Sequence, residues 1–409
     1  MIDVNTNYWL YVLPCVYTCI KKGKALLYNT ETGMSLEINN DKILTLIKLL
    51  YEKKNLGAIH CEGKRLYQAP YQEFIFDFCR KEMGGIVEIT QTAQKPIQML
   101  PFLNLQRDID KHGHNSEEGI LNYLHELNIY VNTNCQQSCS FCNDFSQQCL
   151  CCRKEINTTR NTMNIRTLKN ILSQIKYGTV GRLNILGGNT FNYPYFKEME
   201  ELLSDFNGQK NIWNHYTNCL DFKPSLSDFF YNVIITFPLD KKHWNHSLSL
   251  FDNVQTKYHF YITNNQEYEE VERLIKKHII NNYFIHPIYT NDETSFFEEH
   301  VYIDSDDVFL ERHDFRQIFA RQKLNTHFFG SLTVLSDGKT YANLNSPSLG
   351  NVEQNTLLEI INNELVKNTA WRKVRDSKPC SDCLYQYLCP SPSNYELVIK
   401  KNNLCHIIQ

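Results

Sequence analysis

The sequence lacks what marks a membrane or nucleic-acid protein. Its 42 basic and 45 acidic residues leave a net charge of −3, and no basic stripe runs along it. That excludes the strong electrostatic pull toward phosphate backbones or anionic bilayers. The apolar stretch Tyr8 to Ile20 is too short to span a bilayer, and its composition is strand-like. The start, Met1-Ile2-Asp3-Val4, has no basic segment followed by an apolar core, so no secretory signal is expected and the cytoplasm is the expected compartment. No internal repeat or low-complexity tract stands out. The apolar share of 42% is ordinary for a globular chain, and 409 residues suffice for two or three domains.

Cysteine is what the chain has in excess. There are 15, an odd number in clustered spacings, which without a secretory signal reads as metal sites in a reducing compartment. Cys135, Cys139 and Cys142 directly follow an expected strand, Leu127 to Thr133. Three thiolates so spaced hold three irons of a 4Fe–4S cube and leave the fourth open to chelate a ligand and pass it an electron. A zinc knuckle or three unrelated core cysteines are the alternatives. Cys380, Cys383, Cys389 and Cys405 form a second set near the C-terminus; four thiolates fully ligate a 4Fe–4S cluster or one zinc. Cys149, Cys151 and Cys152 crowd the loop after Cys142, with loop ligands, redox thiols and packing residues all open to them.

Periodicity divides the chain. In residues 1–96, strands are expected at Val16–Ile20, Ala25–Tyr28 and Met34–Ile38, with turns at Lys21-Lys22-Gly23-Lys24 and Thr30-Glu31-Thr32-Gly33. Helices are expected over 41–54, capped by Asn40, and over Tyr71–Met83, stopped by Gly84-Gly85. Residues 97–121 read as a polar linker, with Asn104 to Glu118 the most charged part. From 122 to 322 strands and helices alternate, as a parallel α/β sheet requires. The expected strands are Leu127–Thr133, Leu183–Leu186, Ile212–Tyr216, Val233–Phe237, His259–Thr263 and Phe284–Tyr289; the expected helices are Ile165–Tyr177, Tyr195–Phe206 and Tyr268–Ile280. Residues 323–409 carry the second cysteine set.

The Cys-x3-Cys-x-aromatic-Cys run, with Phe141 as its aromatic, resembles the signature of the radical SAM superfamily. The resemblance implies a partial (β/α)6 barrel, an open iron that chelates S-adenosylmethionine, and one-electron cleavage to a 5′-deoxyadenosyl radical. Gly187-Gly188-Asn189 resembles the superfamily's Gly-Gly-Glu, which holds the cofactor's ammonium. Asn189 replaces the acid here, so a hydrogen bond can remain while charge assistance is gone. Tyr216-Thr217-Asn218 resembles a Thr-Asn-Gly stretch near the ribose; Cys219 stands where glycine would be, and Asn218 is the expected ribose partner.

The stretch from Cys380 to Glu396 is similar to the SPASM extension of peptide-modifying members, which carries seven cysteines and two auxiliary clusters. Asp337 to Asn343 resembles its hairpin, but Asn343 stands at an expected cysteine, as does Ser393. The resemblance therefore implies one auxiliary cluster, fully ligated by Cys380, Cys383, Cys389 and Cys405. Residues 1–96 resemble the winged-helix-like peptide-recognition module of ribosomal peptide maturases. There a precursor's leader would add to the 34–38 edge strand beside the helix at 71–83; a plain structural or dimerising wing is the other reading. The whole implies a peptide-modifying oxidoreductase with two 4Fe–4S clusters, S-adenosylmethionine and an electron donor such as flavodoxin or ferredoxin. Hydrogen abstraction would lead to a crosslink or an epimerised residue. The alternative is a degenerate, non-catalytic relative, like the branch described as pseudo-radical-SAM proteins, that binds a precursor peptide or partner enzyme.

Overall fold

A computed structural model describes residues 2–89, 94–99, 119–139, 141–142, 145, 147–152, 162–220, 222 and 229–407. The charged part of the expected linker, Asn104 to Glu118, lies outside the described residues.

The N-terminal region holds six strands rather than the three expected. β1 (Asn7–Val12) pairs antiparallel with β5 (Ala58–Glu62) and β6 (Gly84–Glu88), while β2 (Val16–Lys21), β3 (Lys24–Asn29) and β4 (Ser35–Ile38) form a second antiparallel sheet. Gly84-Gly85 does more than end a helix. A Cβ on Gly84 would sit 2.0 Å from the carbonyl oxygen of Tyr11, so glycine lets β6 lie hard against β1. The helix Asp41–Leu50 starts where Asn40 accepts from the backbone N–H groups of Lys42 and Ile43, and it buries Ile43, Leu46, Ile47 and Leu50. It ends four residues short of the expected 54. The second helix, Tyr71–Arg80, buries Phe74, Ile75 and Phe78 and stops short of Met83.

The middle of the chain is a parallel sheet in sequential order: β7 (Glu126–Asn132), β8 (Arg182–Gly187), β9 (Gln209–His215), β10 (Phe229–Ile235), β11 (Thr256–Ile262) and β12 (Tyr283–Pro287). Helices Ile165–Ile175, Phe196–Ser204, Lys241–Leu250 and Asn265–His278 alternate with these strands. Each expected strand is present, with β9, β10 and β11 starting three or four residues earlier than read; the helix Lys241–Leu250 is not among those expected, because its apolar positions are sparse. On β7, Leu127, Ile129 and Val131 join a core with Leu168, Ile171 and Met199 of the helices. Asn128, Tyr130 and Asn132 alternate with them and take the other face, as a strand's two-residue period dictates.

β13 (Ser331–Val334) pairs parallel with β7 on its free side, and β14 (Lys339–Tyr341) and β15 (Gly350–Asn351) extend the sheet antiparallel to nine strands. A boundary at 323 is therefore bridged by backbone hydrogen bonds. The N-terminal region also docks here. Tyr17, Cys19, Leu26 and Tyr28 pack with Val308, Ile318, Tyr385 and Leu388, and Lys22 pairs with Asp382 at 3.0 Å. Among the described residues no helix is long and apolar enough to cross a membrane.

Candidate active site

The inner face of the parallel sheet is unusually polar, and its side chains satisfy one another sideways. Asn211 Nδ2 donates to Asn184 Oδ1 at 2.9 Å, and Asn184 Nδ2 donates to Asn128 Oδ1 at 2.7 Å. On the next strands, His259 bonds to Asn232 at 3.0 Å and to His286 at 2.9 Å. Buried polar groups of this kind need partners, and the row supplies them strand by strand. Burial lowers the pKa of His259 to about 3 and of His286 to about 4, with His286 and Lys257 adding to the effect on His259.

One level up, at the C-terminal ends of the strands, the expected cofactor residues converge. Asn132 organises them: its Nδ2 donates to the Asn189 carbonyl at 2.7 Å, and its Oδ1 accepts from the backbone N–H groups of Asn134 and Asn189. Asn218 Nδ2 donates to Gly188 O at 3.1 Å and to Asn214 Oδ1 at 2.8 Å, and Asn214 Nδ2 reaches Asn189 Oδ1 at 3.4 Å. Gln137, inside the cysteine loop, donates to Thr217 Oγ1 at 2.7 Å. His215 shares hydrogen bonds with Thr217 and Thr236, and burial, then His243, lowers its pKa to about 3.

Gly188 explains how the cysteine loop reaches this corner. A Cβ there would lie 2.0 Å from Cys135 N and 2.1 Å from Asn134 C, a distance no side chain tolerates. The loop carrying Cys135, Cys139 and Cys142 lies directly on the glycine pair.

Phe141 is buried and edge-on to Tyr261 at 6.3 Å. Around this pair Cys135, Cys139, Cys149, Cys151 and Cys152 pack with Ile234 and Ile288. The crowded loop cysteines thus pack in the same buried cluster as Cys135 and Cys139, which the sequence did not reveal. Burial, followed by Cys142 and Cys135, pushes the Cys139 thiol up to about 11. Burial pushes Cys149 up to about 12. A hydrogen bond with Cys135, then burial, pushes Cys152 well above its ordinary range. Burial therefore favours the neutral thiol over the thiolate here in the absence of a metal.

The second set shares one small cavity: Cys380, Cys383, Cys389 and Cys405 line it with Arg375 and Gln386. N–H donors face the sulfurs, as suits thiolates or cluster ligands. Arg375 Nη1 approaches Cys380 Sγ at 3.7 Å, Tyr385 N approaches Cys383 Sγ at 3.4 Å, and Asn403 Nδ2 approaches Cys405 Sγ at 3.3 Å. Arg375 is itself buried and paired with Glu396 at 2.7 Å. Burial pushes Cys383 to about 11 and Cys389 to about 12, with Arg375 opposing the rise at Cys389. Each set thus has the donor chemistry for an iron–sulfur cluster. Among the described residues, no three His, Cys, Asp or Glu side chains are drawn in around a single metal-ion position.

Sequence reading missed Asn132, Gln137, Asn214, His215 and Thr236. The available signal was polar residues at the ends of otherwise apolar strands, which also fits ordinary turns.

No curated protein matches the chain. Among solved structures, SuiB of Streptococcus suis bound to S-adenosylmethionine is 13% identical, over 96% of this chain and 97% of that one, with a TM-score of 0.47. SuiB of Streptococcus suis bound to the precursor peptide SuiA is 13% identical, over 98% and 99%, with a TM-score of 0.45. Native anSMEcpe with bound AdoMet is 14% identical, over 68% and 95%, with a TM-score of 0.41. Residues 326–384, which hold the hairpin of β13 and β14 together with Cys380 and Cys383, match the SPASM family model, an iron–sulfur cluster-binding domain.

Proposed function

We propose that the chain is a radical SAM enzyme that modifies a ribosomally made precursor peptide. The observation that carries this reading is the convergence of Cys135, Cys139 and Cys142 with Gly187-Gly188-Asn189 and Asn218 at the C-terminal ends of adjacent parallel strands, where α/β folds hold their reactive groups. A 4Fe–4S cluster with S-adenosylmethionine on its open iron supplies one-electron cleavage and hydrogen abstraction. Cys135, Cys139 and Cys142 would hold that cluster, with Phe141 excluding water behind it. The Gly188 carbonyl and the carboxamides of Asn189 and Asn218 offer neutral acceptors to an ammonium and a ribose. Asn132 fixes their positions, and Thr217 is held between Gln137 and His215.

Cys380, Cys383, Cys389 and Cys405 would hold one auxiliary cluster with no open iron, which suits electron relay rather than substrate binding. In the N-terminal region β4 is a sheet edge, as leader addition needs. That edge is partly engaged: Lys81 Nζ donates to the Ser35 carbonyl at 2.6 Å, and the Tyr385 hydroxyl bonds to Glu37. The reductant would be a flavodoxin- or ferredoxin-type donor.

A second reading, a peptide-binding relative without cleavage, draws on one observation. Asn132, Asn189, Asn214 and Asn218 are all uncharged and already bonded to one another or to nearby backbone. Anaerobic reconstitution decides between them. The enzyme reading expects about eight irons per chain and 5′-deoxyadenosine on adding S-adenosylmethionine and a strong reductant. Full iron loading without that product overturns catalysis and leaves the binding role.

A further inference from the structure

The two positions where the SPASM resemblance leads one to expect cysteines, Asn343 and Ser393, line one cavity of about 370 Å3, a size that accepts a small organic ligand. It lies at the seam where the parallel sheet does not close. Ser331 and Thr333 of β13 and His286 of β12, the two ends of the parallel run, line it with Asn128 of β7, and Cys149 and Leu150 bring the cysteine loop to its wall. Gln148 ties the seam across, donating to Tyr289 O at 3.0 Å and accepting from Tyr289 N at 2.7 Å.

The lining mixes apolar walls, from Leu150, Phe328, Ala342 and Leu344, with polar groups that are almost all uncharged. Its carboxamides come from Asn128, Gln147, Gln148, Asn343, Asn345 and Asn394, and its hydroxyls include Ser331, Thr333 and Ser393. It contains no lysine or arginine. Its one carboxylate, Glu126, is occupied by Arg182 at 2.9 Å and Asn184 at 3.0 Å. Burial lowers the pKa of both its imidazoles, His286 and His327. Asn394 Oδ1 accepts from both Asn343 at 2.7 Å and Asn345 at 3.1 Å, which presents the hairpin carboxamides as one bonded group.

We infer that this cavity, standing where a second auxiliary cluster's ligands are missing, binds an uncharged polar segment of the substrate peptide through amide and hydroxyl hydrogen bonds. A cationic or anionic side chain would be desolvated here without a counter-charge, which is expensive. A large aliphatic side chain would desolvate those lining hydroxyls and amides that are not already bonded within the protein. A peptide backbone, or an Asn, Gln, Ser or Thr side chain, satisfies them. The inference rests on the peptide-modification reading for the identity of the ligand as a peptide.

The test is ligand-observed NMR on the full chain with four acetylated, amidated tripeptides, Gly-Asn-Gly, Gly-Lys-Gly, Gly-Asp-Gly and Gly-Leu-Gly. The Asn peptide should bind at least about ten-fold tighter than the Lys and Asp peptides and also tighter than the Leu peptide. Asn343→Asp should bring the Lys peptide up to or above the Asn peptide. Ser331→Asp places a carboxylate in the same lining, where it can still accept from Asn128, and should do likewise if Asn343→Asp does not fold. Equal or tighter binding of the charged or aliphatic peptides, no binding by any of the four, or an unchanged ranking in both variants overturns the inference. The readout needs neither cluster nor S-adenosylmethionine. Loss of the ranking in a protein that makes 5′-deoxyadenosine therefore fails the cavity alone. A kept ranking without that product fails catalysis alone.

Discussion

The two cysteine sets contrast in what surrounds them. The second is wrapped: four thiols from one C-terminal stretch, N–H donors facing three of them, and a buried Arg375–Glu396 pair behind. The first is set among other thiols and rings, with Thr236 the polar partner of Cys139. A donor-rich shell suits a cluster held permanently by protein.

The largest expected effect would break this contrast outright. Cys139→Ala should abolish 5′-deoxyadenosine formation, whereas Cys383→Ala should keep reductive cleavage while losing about four irons per chain; product analysis beside iron counting checks both. Equal loss in the two variants would remove the division of labour. Next, Glu396→Ala strands Arg375 in a buried pocket and should destabilise the protein by about 3–5 kcal/mol, read by denaturant melting of the metal-free chain. A smaller effect belongs to the first site. Gly188→Ala forces its methyl onto Cys135 N and should cost about 1–3 kcal/mol, with cleavage falling more steeply than stability because the loop itself moves.

The smallest effect sharpens the comparison through pH. His215 and His259, with folded values near 3, and His286, near 4, lie under the ordinary 6.5. Between about 6.5 and 4 the unfolded chain therefore binds more protons than the fold, and stability falls as pH falls. Each histidine contributes at most about 1.4 kcal/mol per pH unit in that window. Melting temperatures of the metal-free protein from pH 7.5 to 4.5 check this, and His286→Gln should flatten the slope. No such histidine lines the second cysteine cavity, so Cys383→Ala should leave the slope unchanged.

Much of this was legible in the chain. The strand before Cys135 and the alternation from 122 to 322 were readable because β-strand and helix periods leave distinct apolar patterns. The helix Lys241–Leu250 escaped because it buries only Trp244 and Ser247. Strand β6 escaped because two glycines read as a stop, while their purpose is the close approach of β1.

Taken alone, the sequence determined the spacing of the two thiol sets and the alternation of strands and helices from 122 to 322, since spacing and periodicity are local properties. Only the tertiary structure decided that Cys149, Cys151 and Cys152 pack with Cys135 and Cys139, that Asn132 ties the Asn189 turn to the start of the cysteine loop, and that Asn343 and Ser393 line one cavity at the seam between β13 and β12. Those facts depend on which strand ends meet, and that is fixed by packing residues far apart in the chain.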